Sequence, residues 1–179
     1  MQTYIKCFLY FIFVTKNIKR MIQRIQTIWL FLASVTILAL FLFPYTTYTD
    51  PSGIAMALKV SGKLNSTGGQ SQLSTSLLFT LQAIATVLLG ILPLVVVANF
   101  KNRKKQASLI ALTMLLTLLF ATWLFVSAKQ ALQEVGKLLT FDNIGIGALL
   151  VPLYIIFLLL ALRGINKDNK LIRSADRLR

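Results

Sequence analysis

The sequence contains no histidine, a single cysteine (Cys7) and only five acidic residues among its 179. Histidine is the commonest metal ligand and the usual general base near neutral pH, so its absence removes most metal and acid–base chemistry. One cysteine supplies neither an intrachain disulfide nor the ligands of a structural zinc site. The glycine motifs that bind nucleotide phosphates are also absent. We therefore predict a protein that is not an enzyme, has no metal site and uses no cofactor.

Charge is scarce along most of the chain. Only 13% of the residues are charged, against about 25% in a typical soluble protein. Mean hydropathy is +0.75. Four uncharged segments are long enough, or nearly so, to cross a hydrocarbon core of about 30 Å as helices. We predict an all-α membrane protein, a four-helix transmembrane bundle formed by a single domain over 21–179, with spans at about 25–45, 77–98, 107–128 and 144–162.

The charge that is present is mostly positive and unevenly placed. The net charge is +14, and fifteen of the nineteen Lys and Arg residues precede the first span, lie between the second and third, or follow the fourth. The positive-inside rule then places both termini in the cytoplasm. A nucleic-acid partner is not expected, because these residues flank apolar runs instead of covering a folded face with stacking aromatics.

The loop between the first two spans contains a strand pattern. Ile54, Met56, Leu58 and Val60 alternate with smaller or polar residues, which predicts a short β-hairpin. The stretch 65–76, rich in Ser, Thr, Gly and Gln, predicts a flexible loop, with a turn at Gly68-Gly69.

The first twenty residues do not fit the rest of the pattern. Their apolar run at 7–14 is too short to cross a membrane, and no small-residue cleavage site follows it. We expect residues 1–20 to be an extension upstream of the true start, and translation to begin at Met21.

Inside the predicted spans no Asp, Glu, Lys or Arg occurs, although such residues usually mark ion and proton pathways. Gln82 is the strongest polar candidate there, and Gly90 and Pro93 are expected to bend the second span. Two interpretations stay open for these three residues. They pack one helix against another, or they line the path of a solute.

The segments flanking the spans carry patterned charge. Leu171, Ile172, Ala175 and Leu178 share one face of a predicted C-terminal helix, and basic residues cover most of the other. Such a helix either lies on an anionic leaflet or docks a cytoplasmic partner. The candidate anchoring or docking residues are Arg24, Arg163, Lys170, Arg173, Asp176 and Arg177.

Both ends of the chain also resemble a known family. From residue 21 the chain has Met-Ile-Gln-Arg-Ile-Gln-Thr-Ile-Trp-Leu. It closes with Arg163-Gly164-Ile165, Lys167-Asp168 and Lys-Leu-Ile-Arg-Ser-Ala-Asp-Arg-Leu-Arg at 170–179. This resembles the bacterial membrane family catalogued as domain of unknown function 4293. The resemblance implies a small four-span protein of Bacteroidota-type bacteria, and supplies no activity.

Together these observations lead to an expected role. We expect a non-catalytic accessory or assembly subunit of the bacterial inner membrane. Its partners would be the lipid bilayer and another membrane or cytoplasmic protein. The alternative is a small-solute permease or channel subunit that acts as an oligomer. The sequence leaves the oligomeric state open.

Overall fold

The computed structural model describes residues 26–67, 70–99 and 103–177. Three helices in this part are long and apolar enough to cross a membrane, at Leu77–Ala98, Lys105–Glu134 and Ile146–Lys167. The first apolar segment forms a shorter helix. The helices are named α1 (described from Gln26 to Phe41), α2 (Leu77–Ala98), α3 (Arg103–Glu134) and α4 (Ile146–Arg177). The fold is mostly helical, as predicted, but it is not all-α, because it also contains a small antiparallel sheet.

The predicted count of four membrane-length helices differs from the count in the described residues. The first span was expected to continue to residue 45, but α1 ends in a 3-10 turn at Ala39–Phe41. Pro44 explains this end, because proline disfavours helical geometry at the residue before it and donates no N–H. The expected extension at 1–20 and the expected start at Met21 lie outside the described residues.

A sheet takes the place of the predicted hairpin and loop. Four antiparallel strands follow one another in chain order: β1 (Thr46–Thr49), β2 (Ala55–Lys59), β3 (Gly62–Thr67) and β4 (Gln70–Ser74). The apolar alternation correctly located β2, whose Leu58 is fully buried. The flexible loop predicted at 65–76 was wrong. Gly68 and Gly69 lie outside the described residues.

The polar strands were missed because they have no apolar face. Gln72, Leu73 and Ser74 of β4 are all exposed, so this strand has no buried face. Its sequence therefore lacks the alternation of apolar and polar residues that marks a half-buried strand. Backbone pairing to β3, from Lys63↔Ser74 to Thr67↔Gln70, forms the strand instead. Composition thus predicted a loop where the backbone hydrogen bonds make a hairpin.

The helices pack side by side and leave their outer faces apolar. Trp29 of α1 stacks on Phe157 of α4 at a centroid distance of 5.8 Å. In an apolar stretch of 18 residues within each long helix, only 28–33% of the residues are buried. The remainder include many exposed Leu, Ile, Val and Phe side chains. An apolar surface of this extent is typical of helices whose solvent is lipid.

Candidate functional site

A proline in α2 leaves one carbonyl group without its helical partner. Pro93 has no N–H, so the carbonyl oxygen of Leu89 cannot accept the usual hydrogen bond from the residue four positions later. The Tyr154 hydroxyl of α4 donates to this oxygen at 2.8 Å. Tyr154 is fully buried. Pro93, which was expected to bend the second span, lies inside a continuous α2 and leaves the carbonyl group through which Tyr154 connects α2 to α4.

Gly90, next to this carbonyl, brings α1 to the same place. The Ser34 hydroxyl of α1 donates to the Gly90 carbonyl oxygen at 2.7 Å. A Cβ atom on residue 90 would lie 2.8 Å from Cδ2 of Leu38, so glycine allows this approach of α1 without displacing the Leu38 side chain. We call Ser34, Leu89, Gly90, Pro93 and Tyr154 the Pro93 junction.

Gln82, about two helical turns before Leu89, connects α2 to α3. Its Nε2 donates to the Ser127 hydroxyl at 2.7 Å, and its backbone carbonyl accepts from the Thr86 hydroxyl at 2.8 Å. The side chain is only 1% exposed. Its Oε1 atom and the Tyr45 hydroxyl are both buried without a hydrogen-bond partner among the described residues.

Tyr45 lies between α1 and β1, beside Gln82. Burial raises the pKa of its hydroxyl, Tyr48 raises it further, and the Gln82 side chain opposes this. The two side chains therefore interact, although their contact lacks the geometry of a hydrogen bond. The phenol stays protonated, and the neighbouring Gln82 amide does not form a hydrogen bond with it.

The sheet is fixed to one end of the helices by two lysines. Lys63 of β3 donates to Glu134 Oε2 at the end of α3 at 2.7 Å, and Lys137 donates to the Thr49 carbonyl oxygen at 2.6 Å. Burial raises the pKa of the nearby Tyr48 hydroxyl, Lys63 lowers it, and the carboxylates of Glu134 and Asp50 raise it. The sheet thus has a defined position on the helices.

Two glycines complete this connection. The N–H groups of Gly145 and Gly147 donate to the carbonyl oxygens of Tyr45 and Pro44 at 3.0 and 2.8 Å. A Cβ on Gly145 would overlap the Pro44 carbonyl, and one on Gly147 would lie 2.7 Å from the Phe43 oxygen. The start of α4 therefore sits directly against the segment that joins α1 to β1.

The last strand leaves one sheet edge open. β4 pairs only with β3 in the described part of the chain. Its sequence, Gln-Ser-Gln-Leu-Ser, contains none of the lysines or prolines with which proteins usually protect such an edge. Backbone groups on this side of β4 are available to pair with another strand.

The sequence profile of one family, described as domain of unknown function (DUF4293), matches residues 22–178. The chain belongs to the DUF4293 family. No curated protein matches it. The match covers the Pro93 junction, Gln82 and the whole sheet, so these features lie within the DUF4293 domain.

The charged candidates of this DUF4293 chain are only partly described. Arg163 is exposed on α4. Arg24 lies outside the described residues, and Lys170, Arg173, Asp176 and Arg177 lie on the α4 backbone with side chains outside the described part. α4 is one continuous helix from Ile146 to Arg177, so the predicted C-terminal helix is its extension. Arg163, whose side chain is described, shares no hydrogen bond with Gln82 or with the Pro93 junction.

Sequence reasoning named Gln82, Gly90 and Pro93 but missed their partners Ser34, Ser127 and Tyr154. The sequence could indicate only that some donor is needed, since a proline inside a span frees the carbonyl four residues earlier. Among the described residues, no three His, Cys, Asp or Glu side chains could together hold a metal ion.

Proposed function

We propose that this protein is a non-catalytic accessory or assembly subunit of the bacterial inner membrane. It binds another membrane protein through the open edge of β4. The observation that carries this proposal is the edge strand β4. It is uncharged and, among the described residues, pairs on one side only, and it belongs to a sheet that Lys63 and Lys137 fix to the helices. Addition of a strand to such an edge is a common mode of protein recognition. The bound strand would come from the partner's own extramembrane segment.

The proposed topology supports this role. All four helices cross the membrane as a bundle. Both termini lie in the cytoplasm, because fifteen of nineteen basic residues flank the spans on that side. The sheet then faces outward and is accessible to a partner on the far side of the membrane.

The alternative, a small-solute permease or channel subunit, has less support. Gln82, its best path residue, is almost completely buried and donates to Ser127. Packing is therefore the better interpretation of Gln82, as of Gly90 and Pro93. Liposome flux measurements with the Gln82→Leu variant test the alternative, which requires solute flux in the unsubstituted protein and its loss in the variant.

Leu73→Pro tests the proposed partner surface. In a hairpin closed by two residues, the Thr67–Gln70 pair is hydrogen-bonded, so the N–H of Leu73 points to the open edge. Proline there removes an outward donor without removing a bond to β3. After crosslinking and purification in mild detergent, we expect a stoichiometric partner with the unsubstituted protein and with Leu73→Ala, and its loss with Leu73→Pro. Failure to recover any stoichiometric partner would overturn the proposal.

A further inference from the structure

A crevice opens between α3 and α4 at the end that carries the sheet. Its deep part is a groove of about 230 Å³ with almost entirely apolar walls, formed by Leu124 and Ala128 of α3 and Val151 and Pro152 of α4. Its outer part is a wider cavity of about 490 Å³ beside the loop that joins the two helices. Phe125, Leu139 and Ile144 line both, so the groove and the outer cavity are adjacent, and the two together are called the crevice.

The mouth of this crevice is cationic. Lys129 and Lys137 line it, and no acidic side chain does. Lys129 makes no hydrogen bond or ion pair with any residue that the structure describes. Lys137 donates one proton to Thr49 and keeps two others. By contrast, Lys63 is neutralised by Glu134 and lies outside the crevice. Two lysine charges therefore remain available at the mouth.

The loop around the mouth is apolar and exposed. Leu138 is 80% exposed and Phe141 is 91% exposed, and both line the outer cavity. Large apolar side chains at the end of a membrane-spanning helix are stable at the boundary between acyl chains and headgroups. In the proposed bundle, the mouth would therefore lie at headgroup depth, with the groove on its acyl-chain side.

We propose that this crevice binds one anionic phospholipid from the leaflet on the sheet side. Its phosphate group would lie between Lys129 and Lys137, and an acyl chain would occupy the groove beside Pro152. Charge complementarity favours a lipid with net negative charge over a zwitterionic one. The ammonium group of a zwitterionic headgroup would lie close to two lysines that have no carboxylate partner among the described residues. The site is separate from the β4 edge, so it stands or falls independently of the proposed partner.

Native mass spectrometry of the full chain with added phosphatidylglycerol or phosphatidylcholine tests this site. We expect one phosphatidylglycerol to bind in preference to phosphatidylcholine. Lys129→Gln and Lys137→Gln should each weaken binding by about fivefold, the effect of one lysine near an anionic lipid. Lys59→Gln on β2 is the matched control and should leave affinity within twofold.

A second variant separates the lipid from a free anion. Ala128→Phe fills the groove without altering charge, and should abolish phosphatidylglycerol binding while thermal unfolding in detergent confirms a folded protein. Inorganic phosphate at millimolar concentration should not displace the lipid. Equal binding of the two lipids, unchanged affinity in both lysine variants, retention of lipid by folded Ala128→Phe, or displacement by phosphate would each overturn the proposal.

Discussion

Two buried tyrosines carry the same hydroxyl group in opposite circumstances. Tyr154 donates to the Leu89 oxygen that Pro93 leaves free, whereas the Tyr45 hydroxyl makes no hydrogen bond among the described residues. Tyr154→Phe should lower the free energy of unfolding by about 1–3 kcal/mol, because it leaves a buried carbonyl unpaired. Tyr45→Phe should be neutral or stabilising, because it removes an unpaired polar group. Reversible unfolding in mixed micelles measures both, and equal losses would contradict this account of the two side chains.

Pro93 itself can be tested through its effect on Tyr154. Pro93→Ala gives residue 93 an N–H that can donate to the Leu89 oxygen, so this carbonyl no longer depends on Tyr154. Tyr154→Phe should then cost about 1 kcal/mol less in the Pro93→Ala background than in the unsubstituted protein. Ser34→Ala is the control, since Ser34 serves the Gly90 oxygen, and its cost should not change. Additive effects of Pro93→Ala and Tyr154→Phe would rule out the exchange of donors.

The elements differ in how far the sequence predicts them. Long uncharged runs located the helices, because the hydropathy that marks an apolar helix is a property of each residue and can be summed along the sequence. β2 was also predictable, since Leu58 and Val60 face the core. β3 and β4 were not, because their polar side chains carry no pattern. The end of α1 was misplaced because hydropathy continues through Pro44 although the helix does not.

The contact between α4 and the α1–β1 connection is the element junction most sensitive to one atom. Gly147→Ala would place a methyl group 2.7 Å from the Phe43 carbonyl oxygen, which cannot move without breaking the Gly147–Pro44 hydrogen bond. We expect a loss of about 1–3 kcal/mol in unfolding free energy from overpacking. Gly164→Ala on the same helix is the comparison, because its methyl group would meet a side-chain atom, Cγ of Gln26 at 2.8 Å, instead of backbone atoms. A cost for Gly147→Ala no larger than that for Gly164→Ala would contradict the close approach.

Across the whole molecule, the candidate site joins residues that are distant in sequence. Tyr154 and Leu89 are 65 positions apart, Ser34 and Gly90 are 56 apart, and Gln82 and Ser127 are 45 apart. The sequence could indicate Gln82, Gly90 and Pro93 because each is unusual in its own apolar surroundings. It could not indicate which helix supplies each partner, because that depends on how the helices are arranged around one another.

The two ends of the molecule differ, and this difference predicts an orientation. The loops on the sheet side hold four of the nineteen basic residues and three of the five acidic ones, so they are nearly neutral, while the other fifteen basic residues precede the first span, lie between the second and third, or follow the fourth. Moving that excess across the membrane would be costly, so the sheet should face away from the cytoplasm. Ser52→Cys, in the exposed turn between β1 and β2, should react with a membrane-impermeant maleimide in spheroplasts.

Lys167→Cys, exposed on α4 at the opposite end, is the matched position for the same measurement. It should react only after the membrane is opened, because the proposed topology puts that end of α4 in the cytoplasm. Both variants are made in a Cys7→Ser background, which removes the only native thiol. Labelling of Lys167→Cys but not Ser52→Cys in closed spheroplasts would reverse the orientation, and would place the β4 edge and the mouth of the crevice on the cytoplasmic side.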